Sequence, residues 1–139
     1  MKVKEVMHDG VTWVNPNTPI LEIANMMQTN DVGSIPVGEN DRLIGMVTDR
    51  DIVCRGVASG KDIATLTARD VMTRGIVYCQ TEDDVGRAID TMKNKKIRRL
   101  TVLDANKRMV GMLSLGDLFD KAGPTQFADV MRAVSSHHA

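Results

Sequence analysis

The sequence predicts a mixed α/β chain of the α+β kind, built from two β-α-β-β-α repeats followed by a C-terminal helix. Three observations predict it. Val6-Met7 returns as Val71-Met72, and the same shift of 65 carries Gly10-Val11 onto Gly75-Ile76, Ile20 onto Val85, Met27 onto Met92 and Ile35-Pro36-Val37 onto Leu100-Thr101-Val102. After one extra residue the shift becomes 66, and Gly45-x-x-Thr48-x-x-Asp51 lands on Gly111-x-x-Ser114-x-x-Asp117. Beyond Gly123-Pro124, the residues Phe127, Val130, Met131 and Val134 stand at helical spacing. The expected organisation is therefore repeat 1 over 1–60, repeat 2 over 61–123, and a helix with its tail over 124–139.

Each repeat starts with a short helical turn, Val3 to Met7 or Ala68 to Met72, that passes through Gly10 or Gly75 into a short strand, Val11 to Val14 or Ile76 to Cys79. A polar turn follows. Thr18 or Asp83 is placed to cap the next helix, with Pro19 at its first position. That helix carries Ile20, Ile23, Ala24 and Met27 in one copy and Val85, Ala88, Ile89 and Met92 in the other, the stripe of a helix packed on one side. Two strands come next, Ser34 to Val37 and Leu43 to Val47, matched by Leu100 to Leu103 and Met109 to Leu113. A second helix begins at Thr48 or Ser114. The Ala58-Ser59-Gly60-Lys61-Asp62 segment reads as a loop joining the repeats.

Composition removes several classes of function. A formal net charge of +0 over 139 residues leaves no whole-chain field for nucleic acid or an anionic membrane. Any anion site must be local. The aromatics are Trp13, Tyr78, Phe119 and Phe127, too scattered for a base-stacking platform. Met1-Lys2-Val3-Lys4-Glu5 lacks the apolar run of a signal peptide, and no apolar stretch approaches the ~18 residues of a membrane span, so a cytoplasmic location is expected. Cys54 and Cys79 have no CxxC spacing and are expected as buried or half-buried free thiols. His8, His137 and His138 form no ligand spacing with them, so no metal site is expected.

The repeated motif has two readings. As a capping box, Thr48 accepts from a first-turn N–H while Asp51 puts negative charge at the positive end of the helix dipole. As a clamp, the same hydroxyl, amides and carboxylate face a polyhydroxy, phosphate-bearing ligand. An ionised aspartate accepts two hydrogen bonds from a vicinal diol, and arginine presents several donors in a fixed fork matched to phosphate oxygens.

With the Val-Met starts, the Ile35-Pro36-Val37 strand and the two G-x-x-[T/S]-x-x-D endings, the chain resembles the CBS-domain pair, or Bateman module, over about residues 1 to 122. It looks most like the small stand-alone bacterial CBS-pair proteins. The resemblance implies two repeats related by pseudo-twofold symmetry, with two clefts for adenosine-containing ligands such as AMP, ADP, ATP, NAD-type dinucleotides or S-adenosylmethionine. It implies no obligatory cofactor, no catalysis and a homodimer. One cleft is expected to use Met46, Thr48, Arg50, Asp51, Gly75, Val77, Ile97, Arg98 and Arg99. The other is expected to use Gly10, Thr12, Val32, Gly33, Ser34, Met112, Ser114, Gly116 and Asp117.

The two sets are unequal. Arg98-Arg99 in repeat 2 stands where repeat 1 has Gly33-Ser34, so the Asp51 cleft is expected to be the tighter site for a phosphorylated ligand. Thr101 in place of Pro36 and Gly116 in place of Arg50 separate the copies further. Lys93, Lys95 and Lys96 read as a solvated helix end, where cations complement the dipole. The leading expectation is a non-catalytic metabolite sensor acting on an unidentified regulated protein. The alternative is a structural or dimerisation module in which both motifs are caps and nothing more.

Overall fold

A computed structural model describes residues 1–75, 77–121 and 123–135. Ile76, the expected start of a strand, and His137 and His138 of the expected tail lie outside the described residues. In chain order the elements are β1 (His8–Asp9), α1 (Ile20–Asn30), β2 (Ser34–Glu39), β3 (Arg42–Thr48) and the short α2 (Asp49–Asp51). They continue with α3 (Ala68–Val71), β4 (Thr73–Arg74), β5 (Tyr78–Gln80), α4 (Val85–Lys95), β6 (Arg99–Leu103), β7 (Met109–Ser114), α5 (Leu115–Lys121) and α6 (Pro124–Ser135). A π-type turn over Ile52–Gly56 extends α2, and single 3-10 turns occupy Val3–Glu5, Val57–Ser59 and Ile63–Thr65.

These elements form two compact units, and the units interleave the sequence repeats. One unit holds Met1–Val11 together with residues from Val77 onward, and the other holds Thr12–Ile76. The leader of each repeat is thus folded into the unit that carries the other repeat's long helix.

In the unit built on Val77 onward, the strand order is β1-β7-β6-β5, with β5 parallel to β6 and the other pairs antiparallel. Val3, Val6, Val85, Ala88, Ile89, Met92, Leu100, Leu113 and Leu118 form its core. The C-terminal helix α6 closes that core with Val130 and Val134, packing on α4 and α5. Lys2 and Lys4 both reach Glu82, at 2.6 and 2.9 Å, and their hydrogen bonds hold the Glu82 carboxyl down at about 2. Burial, with a smaller push from Asp83, raises the Cys79 thiol to about 12.

In the other unit, the order is β2-β3-β4, all antiparallel, over a core of Ile20, Ile23, Met27, Ile35, Val37, Val47, Ala68 and Val71. The β2–β3 connection is a two-residue turn at Asn40-Asp41, both with positive φ (54° and 65°). That is the twist a tight hairpin requires, supplied by residue types that tolerate it. The β6–β7 turn is longer, and the Asp104 carboxylate accepts from Asn106 N and Arg108 N within it. The extra residue that changes the repeat shift is absorbed there.

Three local expectations are corrected. Val11 to Val14 is no strand: Val14 alone makes an isolated parallel bridge to Val37. Neither Thr18 nor Asp83 caps a helix. Pro19 is the N-cap residue of α1 rather than its first residue, and the orphan N–H of Ile20 goes to the Leu66 carbonyl of the docked leader. On α4 the cap is Asp84, which accepts from Gly86 N, while Asp83 accepts from Gln80 N. Cys54 is exposed rather than buried, and Cys79 alone is buried.

The Thr101 hydroxyl is fully buried and has no hydrogen-bond partner among the described residues. An unpaired buried hydroxyl costs stability that a methyl group of the same shape does not. Thr101→Val is expected to raise the unfolding free energy by about 1 kcal/mol, read from the urea midpoint.

Candidate functional site

Both motifs form the capping boxes that their spacing predicts. In the unit of residues 12–76, Asp51 N donates to Thr48 Oγ1 at 3.1 Å and Thr48 N donates to Asp51 Oδ2 at 2.9 Å. In the other unit Asp117 N donates to Ser114 Oγ at 3.3 Å, and Ser114 N donates to Asp117 Oδ2 at 2.8 Å. Each box fixes a carboxylate at the end of a strand, β3 or β7, just inside the following helix. Asp51 is 9% exposed. Asp117 is half-buried.

A second layer of contacts lies outside both motifs. Arg55, brought back by the π-type turn, donates from Nη1 to the Val71 and Met72 carbonyls at 3.2 and 3.0 Å and to Thr73 Oγ1 at 3.3 Å. The same nitrogen lies 3.9 Å from Asp51 Oδ1. Thr73, on β4 opposite Met46, points its hydroxyl at both Asp51 oxygens from 3.4 and 3.5 Å. At the matching place in the other unit stands His8, on β1 opposite Met112, with Nδ1 at 3.0 Å from Asp117 Oδ2. Lys121, the counterpart of Arg55, donates to the Glu5 carbonyl at 3.3 Å. Arg55, Thr73, His8 and Lys121 escaped the motif reading, although the shifts of 65 and 66 pair them two by two.

Each expected cleft set draws on both units. Met46 and Thr48 end β3, Arg50 and Asp51 form α2, and Gly75 follows β4 with φ +106°. Gly10 is its counterpart after β1, with φ +83°. Both bends take a backbone conformation that only glycine adopts without strain. Val32 and Gly33 lead into Ser34 of β2, which lies opposite Thr48, and the Gly33 carbonyl accepts from Asp49 N at 2.9 Å. Thr12 belongs to this unit as well.

The other unit brings together Ile97, Arg98, Arg99, Met112, Ser114, Gly116 and Asp117, and also contains Val77 and Gly10. Arg99 pairs directly with Ser114, and the Arg98 carbonyl accepts from Leu115 N at 3.2 Å. Arg98 is exposed and Arg99 half-buried. A shallow depression of about 490 Å³ beside α4 is lined by Asp84, Arg87, Asp90, Lys93 and Asp129, none of them an expected site residue. Among the described residues no group of three or more His, Cys, Asp and Glu side chains is gathered to hold a metal. No helix among them is long and apolar enough to cross a membrane.

A family model for the CBS domain matches twice, over residues 3–57 and 68–123. The chain belongs to the CBS-domain family. This CBS pair is 34% identical to Hypoxic response protein 1 of Mycobacterium tuberculosis over 116 residues, covering 83% of this chain and 80% of that protein. It is 40% identical to the CBS domain-containing protein YhcV of Bacillus subtilis, covering 84% and 81%. A crystal structure of Hypoxic Response Protein I with two coordinated zinc ions matches the CBS pair with a TM-score of 0.80 at 31% identity, over 88% of this chain and 100% of that one. CBSX2 in complex with AMP matches with a TM-score of 0.75 at 23% identity, over 87% and 95%. The CBS domain pair of MJ0100 in complex with 5-methylthioadenosine and S-adenosyl-L-methionine matches at 0.77 and 22%, over 88% and 100%. At those identities the last two likenesses concern the fold of the CBS pair.

Proposed function

We propose that this CBS pair is a non-catalytic regulatory module that binds an adenosine-containing ligand and reports it to a partner protein. The observation that carries this reading is the Asp51 carboxylate. It is nearly buried, its Oδ2 is fixed by one short backbone bond from Thr48, and its remaining contacts are long, at 3.4 to 3.9 Å. A carboxylate held in place with acceptor capacity to spare is what a ribose diol requires. Support from outside the chain comes from the AMP, methylthioadenosine and S-adenosylmethionine complexes of CBS pairs with the same fold.

Asp51 would take the diol, with Thr48, Met46, Arg50 and Gly75 around it, and Asp117 would play the same part with Ser114, Met112, Gly116 and Gly10. The phosphate role of Arg98 and Arg99 rests on the family resemblance. A cytoplasmic homodimer is part of the same reading. Ligand binding would act by favouring one of two arrangements that a partner distinguishes.

The test is isothermal titration of AMP, ATP, NADH and S-adenosylmethionine into wild type and Asp51→Ala. Heat from at least one of them is expected, weakened at least about tenfold in the variant, the scale of a lost hydrogen bond to a charged group. No heat from any of them, or equal affinity in the variant, overturns the reading. The complete reciprocal boxes favour a second reading, in which both motifs serve as caps alone and the surface serves dimerisation. Under it Asp51→Ala lowers the melting temperature while none of the four ligands raises it.

A further inference from the structure

The two carboxylates carry different loads, and the difference lies in residues outside the motifs. Asp51 Oδ2 takes one short donor, Thr48 N, and the distant Thr73 hydroxyl. Asp117 Oδ2 takes three: Ser114 N at 2.8 Å, Ser114 Oγ at 3.0 Å and His8 Nδ1 at 3.0 Å. In the tautomer that carries its proton on Nδ1, His8 completes three close donors on Oδ2, which leaves that oxygen little capacity for a ligand hydroxyl. Thr73 and His8 occupy equivalent places, since each lies on the two-residue strand that pairs antiparallel with the motif strand, opposite Met46 or Met112.

We infer that His8 is the specificity-determining residue of the Asp117 site: it occupies Oδ2, one of the two carboxylate oxygens that a ligand diol would need, and makes that site sensitive to pH. The inference rests on the proposed diol role of the motif aspartates. Histidine is the side-chain type able to change charge near neutrality, and a charged imidazole would make the bond to Asp117 charge-assisted and tighter. Among the described residues, Asp51 has an arginine, Arg55, in place of an imidazole, with Nη1 at 3.9 Å from Oδ1.

β7 carries no titratable side chain, β1 adds Asp9, and α5 adds Asp117, with Asp120 and Lys121 further along it. Lys121 is engaged with the Glu5 carbonyl. The contact seen for the ring is the one with Asp117 Oδ2, at 3.0 Å.

The test uses adenosine, which keeps the diol and omits the phosphate, because a phosphate titrates in the same pH range. It is titrated into the 139-residue wild-type chain, Asp51→Ala, and Asp51→Ala with His8→Thr, at pH 5.5 and 8.0. In Asp51→Ala, where the Asp117 site alone is read, binding is expected to weaken about fivefold from pH 8.0 to 5.5, the scale of a half-exposed ion pair. Adding His8→Thr is expected to tighten binding at both pH values and remove the pH difference. Unchanged affinity on His8→Thr, a pH difference that survives it, or no binding in either variant while wild type binds, overturns the inference. Failure of wild type to bind adenosine or any of the four ligands titrated above overturns the underlying reading instead.

Discussion

Replacing Gly111 by alanine is expected to lower the unfolding free energy by about 3 kcal/mol and the melting temperature by roughly 10 °C. A Cβ at this position would stand 2.6 Å from the His8 carbonyl oxygen and 3.1 Å from the Met7 sulfur. The sulfur is the far end of a flexible side chain and moves cheaply. The carbonyl belongs to β1, whose His8 and Asp9 pair with Met112 and Gly111, and it moves only if that pairing opens. Because β1 also carries His8 onto Asp117, the same substitution is expected to free the carboxylate while loosening the N-terminal arm.

Gly116→Ala, in the same motif, is the control: its Cβ would meet nothing closer than Ser114 Oγ at 3.6 Å, and alanine favours the helix. Circular-dichroism melts of both variants check the contrast. A Gly111→Ala protein within 1 kcal/mol of wild type would mean that the strands do not approach this closely in solution.

Gly45 shows that this close approach is built twice. Its Cβ would lie 2.8 Å from the Thr73 carbonyl and 3.2 Å from the Met72 sulfur. The sequence displayed the recurrence of Val-Met and of the motif glycine plainly, and the spacing of Thr48 with Asp51 was enough to read both capping boxes. The reason the methionine and the glycine recur together was hidden. It lies in β1 and β4, two-residue strands too short to leave an alternating pattern, which cross the glycine from a distance in sequence.

The same limit concealed Thr73 and His8 as neighbours of the aspartates. What could have exposed them was the repeat alignment itself, in which an imidazole replaces a hydroxyl between two otherwise similar segments. The helix caps depart from the expectation for reasons the motif spacing does not show. A cap predicted from Thr18 assumes that a local side chain satisfies the first turn, whereas in α1 the Leu66 carbonyl does so; on α4 the cap is local but stands one residue on, at Asp84. Local signals were legible, and exchange of the leaders between repeats was not.

Leu118 and Phe119 make the second contrast, and hydropathy alone ranks them wrongly. Both are large and apolar, and both follow Asp117 on α5. Leu118 is fully buried, in the cluster with Val3, Val6, Met92, Leu100, Leu113, Val130 and Val134. Phe119 is 66% exposed, and the ring contact seen for it is an edge-on one with Phe127, centroids 5.0 Å apart. Leu118→Ala removes core volume that neighbours on two helices, two strands and the N-terminal turn cannot refill together, and is expected to cost about 3 kcal/mol. Phe119→Ala gives up one edge-to-face contact and already wet surface, and is expected to cost about 1 kcal/mol or less.

Urea unfolding of both variants reads the difference as a fall in midpoint at unchanged slope. The functional consequence follows from position. Leu118 anchors the helix whose first turn holds Asp117, so its loss is expected to weaken binding at that carboxylate, whereas Phe119→Ala leaves it intact. Equal destabilisation by the two substitutions would place α5 in a different rotation about its axis and remove the packing that holds Asp117 beside His8.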